Sequence, residues 1–282
     1  MSVNRLKQLM KSGRIITAPG AFDPLSALLI RNAGFDAIYV SGASSSYTQL
    51  GMPDLGFLGM EDMIRQVDRI DAAVSLPLIC DADNGYGNEV NVFQTARLFR
   101  RAGADAIQIE DQVSPKRCGH LKGKEVTDPE DMVLKIRAAR KAADDILVIA
   151  RTDALTVMGI DEAIERANLY LREGADIAFV ESPLSFEDLE RIGREVKGPK
   201  LANMVEGGNT PLVSSDELQK LGFSIVIYPG ACVRASVRAM EEVLGELKVK
   251  GTTREYLPNM ADFRHIQKIL GAEDLLREVE KI

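Results

Sequence analysis

One template recurs four times along the chain and limits what it can fold into. AGFDAIYVSG (33–42), AGADAIQIED (102–111), EGADIAFVES (173–182) and LGFSIVIYPG (221–230) each end a helix in glycine, turn, and enter an apolar strand that closes on polar or special residues. Glycine just after a helix supplies the left-handed residue that caps it. An unbroken apolar strand of five or six residues marks a parallel sheet covered on both faces. Four further apolar runs, RIITAPG (14–20), LPLICDAD (76–83), ILVIARTD (146–153) and KLANMV (200–205), complete the set. Helical periodicity covers 60–74, 89–103, 130–143, 161–173, 186–197 and 231–249, with Pro129 and Asp161 at helix starts. Over 89–103 it places Val90, Phe93, Ala96 and Leu98 on the apolar face and Arg97, Arg100 and Arg101 in water. Eight strands alternating with helices predict an α/β fold, a closed (β/α)8 barrel of the TIM type. An open doubly wound sheet is the alternative, weakened because no dinucleotide glycine fingerprint follows a strand. Residues 1–282 read as one barrel domain with 251–282 as a helical tail. There Phe263, Ile266, Ile269 and Leu270 make a stripe that a finished barrel would leave exposed, so a partner subunit is expected to cover it.

Composition removes several classes of function. A net charge of -7 argues against nucleic acid as a main partner. No apolar run approaches the ~20 residues that span a bilayer, so no membrane role is expected. Three cysteines without paired spacing make no disulfide framework. With no signal-like start, the expected location is a reducing cytoplasm. Cys80, in an apolar run, and Cys232, opening a helix, read as structural.

In a barrel of this kind chemistry gathers at the C-terminal ends of the strands. Those ends supply Tyr39, Ser41 and Gly42, then Asp81 and Asp83, Glu110, Arg151 and Asp153, Glu181, Asn203, and finally Tyr228, Pro229 and Gly230. The opposite ends show no comparable collection. Asp81 and Asp83, two apart, point to one side of their strand. With Asp54 and Glu110 they make a set of hard oxygen donors that suits Mg²⁺, or Mn²⁺, rather than zinc. A solvated loop is the bland alternative for such a pair. Arg151 at the end of a buried strand must bind an anion or pair with Asp153 or Glu181, and both readings hold together. The loop after the fourth strand carries Lys116, Arg117, Cys118, Gly119 and His120. A thiol beside fixed positive charge exchanges a proton near neutral pH, and the glycine admits close approach of a ligand.

These residues resemble a known family. Lys116-Arg117-Cys118-Gly119-His120 is similar to the signature loop of the isocitrate lyase and phosphoenolpyruvate mutase superfamily. The resemblance continues through Ser41-Gly42-Ala43, Gly51-Met52-Pro53-Asp54, Asp81-Ala82-Asp83, Glu110-Asp111-Gln112, Ala150-Arg151-Thr152-Asp153 and Asn203-Met204-Val205-Glu206-Gly207-Gly208, in order and over nearly the whole chain. It implies the (β/α)8 barrel, a Mg²⁺ ion, and tetramers that exchange C-terminal helices. Members with Cys-Gly-His cleave or hydrolyse carbon–carbon bonds of 2-hydroxy or 2-oxo dicarboxylates. The branch this chain looks most like is that of the 2-alkylmalate lyases, the petal death protein and 2-methylisocitrate lyase. Methylisocitrate lyases carry Thr-Glu-Phe-Gly where this chain has Val205-Glu206-Gly207-Gly208, which favours a 2-alkylmalate.

The resemblance assigns roles. Asp54, Asp81, Asp83 and Glu110 hold the metal, with Asp83 the foremost direct ligand. Cys118 protonates the leaving enolate, whose carboxylate is held by Arg151, His120 and the Gly119 amide. Ser41, Gly42 and Ala43 orient the pyruvate half. Lys116, Glu181, Asn203 and Pro229 complete the substrate side. Tyr39 or a metal-site carboxylate acts as base, and the sequence does not choose between them. The expected partner is a small dicarboxylate substrate. The alternatives are oxaloacetate hydrolysis or decarboxylation in the same site, a phosphonate mutase, and a non-enzymatic scaffold.

Overall fold

The computed structural model describes residues 4–119 and 123–281. Eight parallel strands, β1 (Ile16–Ala21), β2 (Ile38–Val40), β3 (Leu78–Asp81), β4 (Ala106–Glu110), β5 (Leu147–Thr152), β6 (Ile177–Val180), β7 (Lys200–Asn203) and β8 (Ile225–Tyr228), follow one another around a closed barrel. Closure is made by β1 on β8, in register from Ile16 opposite Ile225 to Pro19 opposite Tyr228. The helices are α1 (Arg5–Met10), α2 (Pro24–Asn32), α3 (Gly42–Leu50), α4 (Met60–Ala73), α5 (Glu89–Arg101), α6 (Pro129–Ala142), α7 (Leu155–Met158), α8 (Ile160–Arg172), α9 (Phe186–Glu195), α10 (Ser215–Lys220) and α11 (Ala231–Lys250). A 3₁₀ turn (Arg254–Asn259) leads to α12 (Phe263–Ile269) and α13 (Ala272–Val279). Among the described residues no helix is long and apolar enough to cross a membrane.

The fourfold template has a physical basis beyond its apolar run. Gly34, Gly103, Gly174 and Gly222 all hold positive φ, so each helix ends on the residue type that accepts this turn most cheaply. The aspartate two residues on then serves the neighbouring strand. Asp105 accepts the Leu78 N–H at 3.2 Å, and Asp176 accepts that of Val148 at 2.9 Å. Arg5 pairs with Asp105 at 2.7 Å and Arg140 with Asp176 at 2.9 Å. The N-terminal ends of the strands therefore do carry a polar collection, contrary to the sequence reading. These charges satisfy the first backbone groups of strands and tie down α1, so their role there is structural. Leu6 of α1 closes the barrel floor beneath Ile16, Ile79, Ile149 and Ile225.

Two surface readings change. On α5 the buried face is Val92, Thr95, Ala96 and Phe99, while Val90 is 70% exposed. Position in the first turn, ahead of the contact with α6, leaves Val90 in solvent. In the tail Ile269 is buried, packed from α12 toward α2, so it leaves the expected stripe. Phe263, Ile266 and Leu270 remain exposed, joined by Leu275, Leu276 and Val279 on α13.

Candidate active site

The C-terminal ends of the strands surround a cavity of about 140 Å³. Its lining includes Tyr39, Ser41, Ala43, Asp54, Asp81, Cys118, Gly119, Arg151, Glu181, Asn203 and Pro229. Gly42, Asp83, Glu110 and Lys116 stand directly behind that lining, each bonded to a residue of it. His120 lies outside the described residues.

Arg151 is the hub. It comes off the end of β5, where the strand carries it into the interior, 8% exposed. Its guanidinium makes a forked pair with Asp153, Nε to Oδ2 at 2.9 Å and Nη2 to Oδ1 at 3.0 Å. It also lies 3.3 Å from Glu110 Oε2 and 3.3 Å from Glu181 Oε2, above the Phe179 ring. Burial opposes the Arg151 charge, but Asp153, Glu110 and Glu181 more than offset it and hold the cation firmly. Burial likewise opposes the Asp153 carboxylate, yet Arg151 and Lys124 hold it down at about 2. The two readings of Arg151 thus separate: its salt bridges are present, and its remaining face looks into the cavity.

The carboxylate cluster is short of positive charge. Asp81 accepts from the Gly42 N–H at 3.3 Å and the Asp83 N–H at 3.1 Å. Asp83 is pushed up to about 7 by burial and by Asp81 and Asp54, against the pull of Lys116. Glu110 is also raised, chiefly by burial, and its Oε1 is buried without a hydrogen-bond partner. Lys116, placed by sequence on the substrate, instead sends its ammonium between Asp54 and Asp83, 2.7 Å from Asp83. As they stand, no three acidic, cysteine or histidine side chains among the described residues close around one point as a ligand set. The donor chemistry nevertheless fits a hard divalent cation. The ligands are all oxygen, one buried oxygen is orphaned, and a lysine already stands in as the neutralising charge.

Tyr39 on β2 is buried, and its hydroxyl donates to Gln108 at 3.1 Å. Burial, then Asp81, raises this phenol well above its ordinary range, so it is held protonated. Ser41 caps α3, accepting the Ser44 N–H at 3.2 Å, and the first turn of that helix opens onto the cavity. With the Gly42 N–H on Asp81 and the Ser44 N–H on Ser41, the Ala43 N–H is the first-turn donor that can favour an anion. Asn203 donates to Glu181 at 3.1 Å and keeps its buried carbonyl oxygen unpartnered.

A barrel whose cavity brings together a thiol, a caged arginine and crowded carboxylates matches one family model, that described as phosphoenolpyruvate phosphomutase, over residues 6–248. The chain belongs to the phosphoenolpyruvate mutase/isocitrate lyase superfamily. It is 44% identical over 278 residues to a 2,3-dimethylmalate lyase of Eubacterium barkeri, covering 98% of this chain and 96% of that one. It is 45% identical over 269 residues to a 2-methylisocitrate lyase of Aeropyrum pernix, covering 95% of this chain and 87% of the relative. The crystal structure of a phosphonopyruvate hydrolase in complex with oxalate and Mg²⁺ superimposes with a TM-score of 0.89 at 32% identity, covering 100% and 99% of the two chains. Within the superfamily the chain is a carbon–carbon lyase.

Sequence reasoning missed part of the cavity. Tyr47 on α3 and Arg234 in the first turn of α11 line it, as do Ser44 and Phe179. Arg234 had a signal, since it lies one helical turn past Gly230, which follows the strand end. So did Gln108, a polar residue inside the run AIQIE that needs a buried partner and finds Tyr39.

Proposed function

We propose that this chain is a Mg²⁺-dependent lyase of 2-hydroxy dicarboxylates of the 2-alkylmalate or 2-methylisocitrate type. The products are pyruvate, or another 2-oxo acid, and a carboxylic acid. The reading rests above all on one juxtaposition: Cys118 and Arg151 line the same cavity as Asp54 and Asp81 of the carboxylate cluster. Asp54, Asp81, Asp83, Glu110, Asp153 and Glu181 outnumber Lys116, Lys124, Arg151 and Arg234 there, and burial resists the charge on Asp83 and Glu110, so a divalent cation would favour both their ionised forms and a dianionic substrate. Held by Asp54, Asp81, Asp83 and Glu110, Mg²⁺, or Mn²⁺ in its place, supplies Lewis-acid stabilisation of negative charge on the substrate's 2-hydroxyl oxygen.

The chain's own residues do the rest. The first turn of α3 at Ser41, Gly42 and Ala43 orients the carboxylate next to the 2-hydroxyl. A carboxylate of the cluster takes the hydroxyl proton, because Tyr39 is held protonated and already donates to Gln108. The bond between C2 and C3 breaks, and the electron pair moves onto the departing half as a carboxylate-stabilised enolate. Arg151, the Gly119 amide and Asn203 hold that half. Cys118 delivers the proton to carbon. Val205, Gly207 and Gly208 line the cavity without a polar or bulky side chain, which favours an alkylmalate. Arg234 adds a cation at the mouth that suits a third carboxylate, so methylisocitrate belongs in the same test.

Pyruvate release, coupled to lactate dehydrogenase, decides the reading. 2,3-Dimethylmalate, citramalate and 2-methylisocitrate are offered with Mg²⁺ or EDTA, and oxaloacetate consumption is followed directly. EDTA-sensitive release from an alkylmalate or methylisocitrate is expected. Loss of oxaloacetate alone moves the activity to hydrolysis or decarboxylation, and turnover that ignores EDTA removes the metal.

We also propose a homotetramer in which the tail is covered by a neighbour. Exposed Phe263, Leu270, Leu275 and Leu276 support it, because a solvent-facing stripe of this size costs solubility unless it is buried. Light scattering at micromolar concentration is expected to give four times the chain mass; a monomer overturns the assignment.

A further inference from the structure

Lys124 has no part in the mechanism above, yet its side chain is only 2% exposed. Burying an ammonium is costly unless its donors are met. Here two partners meet them: Nζ lies 2.9 Å from Asp153 Oδ1 and 2.5 Å from the Gly119 carbonyl oxygen. Asp153 Oδ1 is the same oxygen that accepts from Arg151 Nη2. One carboxylate oxygen thus carries both the substrate-facing arginine and a lysine whose other bond reaches the residue after Cys118.

The far end of this chain is constrained as tightly. The Gly119 carbonyl also lies 3.1 Å from Ser182 Oγ, whose one proton it shares with Glu181 Oε1 at 3.0 Å. Ser182 stands at φ +56°, a left-handed conformation that costs a non-glycine residue energy and persists only where its surroundings demand it. A Cβ on Gly119 would lie 2.4 Å from Arg151 Nη2 and 2.7 Å from Glu181 Cγ. The backbone beside Cys118 is therefore pressed against the arginine, with no side chain between them, and held there by two donors.

We propose that Lys124 is a positioning residue that ties the Cys118–Gly119 backbone to the Asp153–Arg151 pair, so that the thiol is presented only against a correctly placed arginine. The proposal rests on the reading of Cys118 as proton donor. A shift of Arg151 toward a bound carboxylate moves Asp153, and through Lys124 reaches the thiol.

The test is the reactivity of Cys118 toward iodoacetamide, located by peptide mass spectrometry in the full-length protein with Mg²⁺ and oxalate present. Lys124→Met is expected to raise the alkylation rate about tenfold or more, the change in an opening equilibrium when a hydrogen bond to a charged group is lost. Ser182→Ala, which removes a neutral donor to the same carbonyl, is expected to raise it about fivefold. Cys80, fully buried, reports global opening and is expected to stay unlabelled. Turnover of Lys124→Met is expected to fall in kcat, with KM within about threefold of wild type. A Cys118 rate within about twofold of wild type in folded Lys124→Met overturns the proposal. Where Cys80 labelling shows that variant to be unfolded, the same result in Ser182→Ala overturns it. Alkylation needs no substrate, so absence of turnover on every acid offered sinks the lyase reading while leaving this test intact.

Discussion

Serine in place of Cys118 is expected to lower turnover by about 10²–10⁴-fold, the usual contribution of a positioned general acid, with Mg²⁺ and oxalate binding unchanged. The group that needs a proton is a carbanion formed when the carbon–carbon bond breaks. A thiol, with an ordinary pKa near 8.5, is mostly protonated at neutral pH and still acidic enough to give its proton up. A serine hydroxyl is a far weaker acid of nearly the same shape, so it preserves packing and removes only the chemistry. Cys118 lines the cavity with Arg151 and Gly119, within reach of a group held by either. Steady-state pyruvate release gives the loss, and titration calorimetry with Mg²⁺ and oxalate shows whether the site is otherwise whole. Turnover within about tenfold of wild type would take Cys118 out of proton delivery.

The fold was legible because its signal is repeated. Each strand is an apolar run, and four of them are announced by the same glycine and turn. The elements that escaped are short or polar. The helix α3 is built from GASSSYTQL, whose serines pack beneath the barrel mouth rather than forming an apolar stripe. The helices α2 and α10 are short and carry little periodicity. The face of α5 was misread because hydrophobicity alone does not tell a first-turn valine in water from one two residues later in the core. At the site, residues on strand ends fell where the barrel rule puts them. Lys116 of the Cys118 loop, expected on the substrate, pairs with Asp54 and Asp83, because a loop has no period to fix side-chain direction. Lys116 and Lys124 look equivalent in sequence, yet one reaches the Asp54–Asp83 pair and the other is buried on Asp153.

Arg151→Met is expected to abolish turnover and to destabilise the protein by about 3–5 kcal/mol at pH 8, the cost of leaving buried charge without its partner. Three carboxylates lose one cation at once. Asp153 keeps Lys124, while Glu110 and Glu181 each lose the guanidinium that lies 3.3 Å away. The pH dependence identifies the cause. In the wild type Asp153 is held at about 2, below its ordinary 3.8, so its contribution is present at neutral pH and lost as pH falls through that range. In the variant Glu110, already raised by burial, loses the Arg151 charge that pulled it down and rises further above its unfolded value. The native state then binds protons more tightly, and stability falls as pH rises. Urea unfolding is therefore expected to show a smaller penalty at pH 5 than at pH 8; an equal penalty at both would mean that lost packing over Phe179 dominates. Arg151→Lys separates charge from geometry. It restores one cation but not the fork that grips Asp153 with two bonds, so most of the stability is expected to return while kcat stays about 10²-fold or more below wild type. A lysine variant with near-normal kcat would show that the site needs only a charge at Arg151, and that the alignment of the guanidinium with Cys118 is incidental.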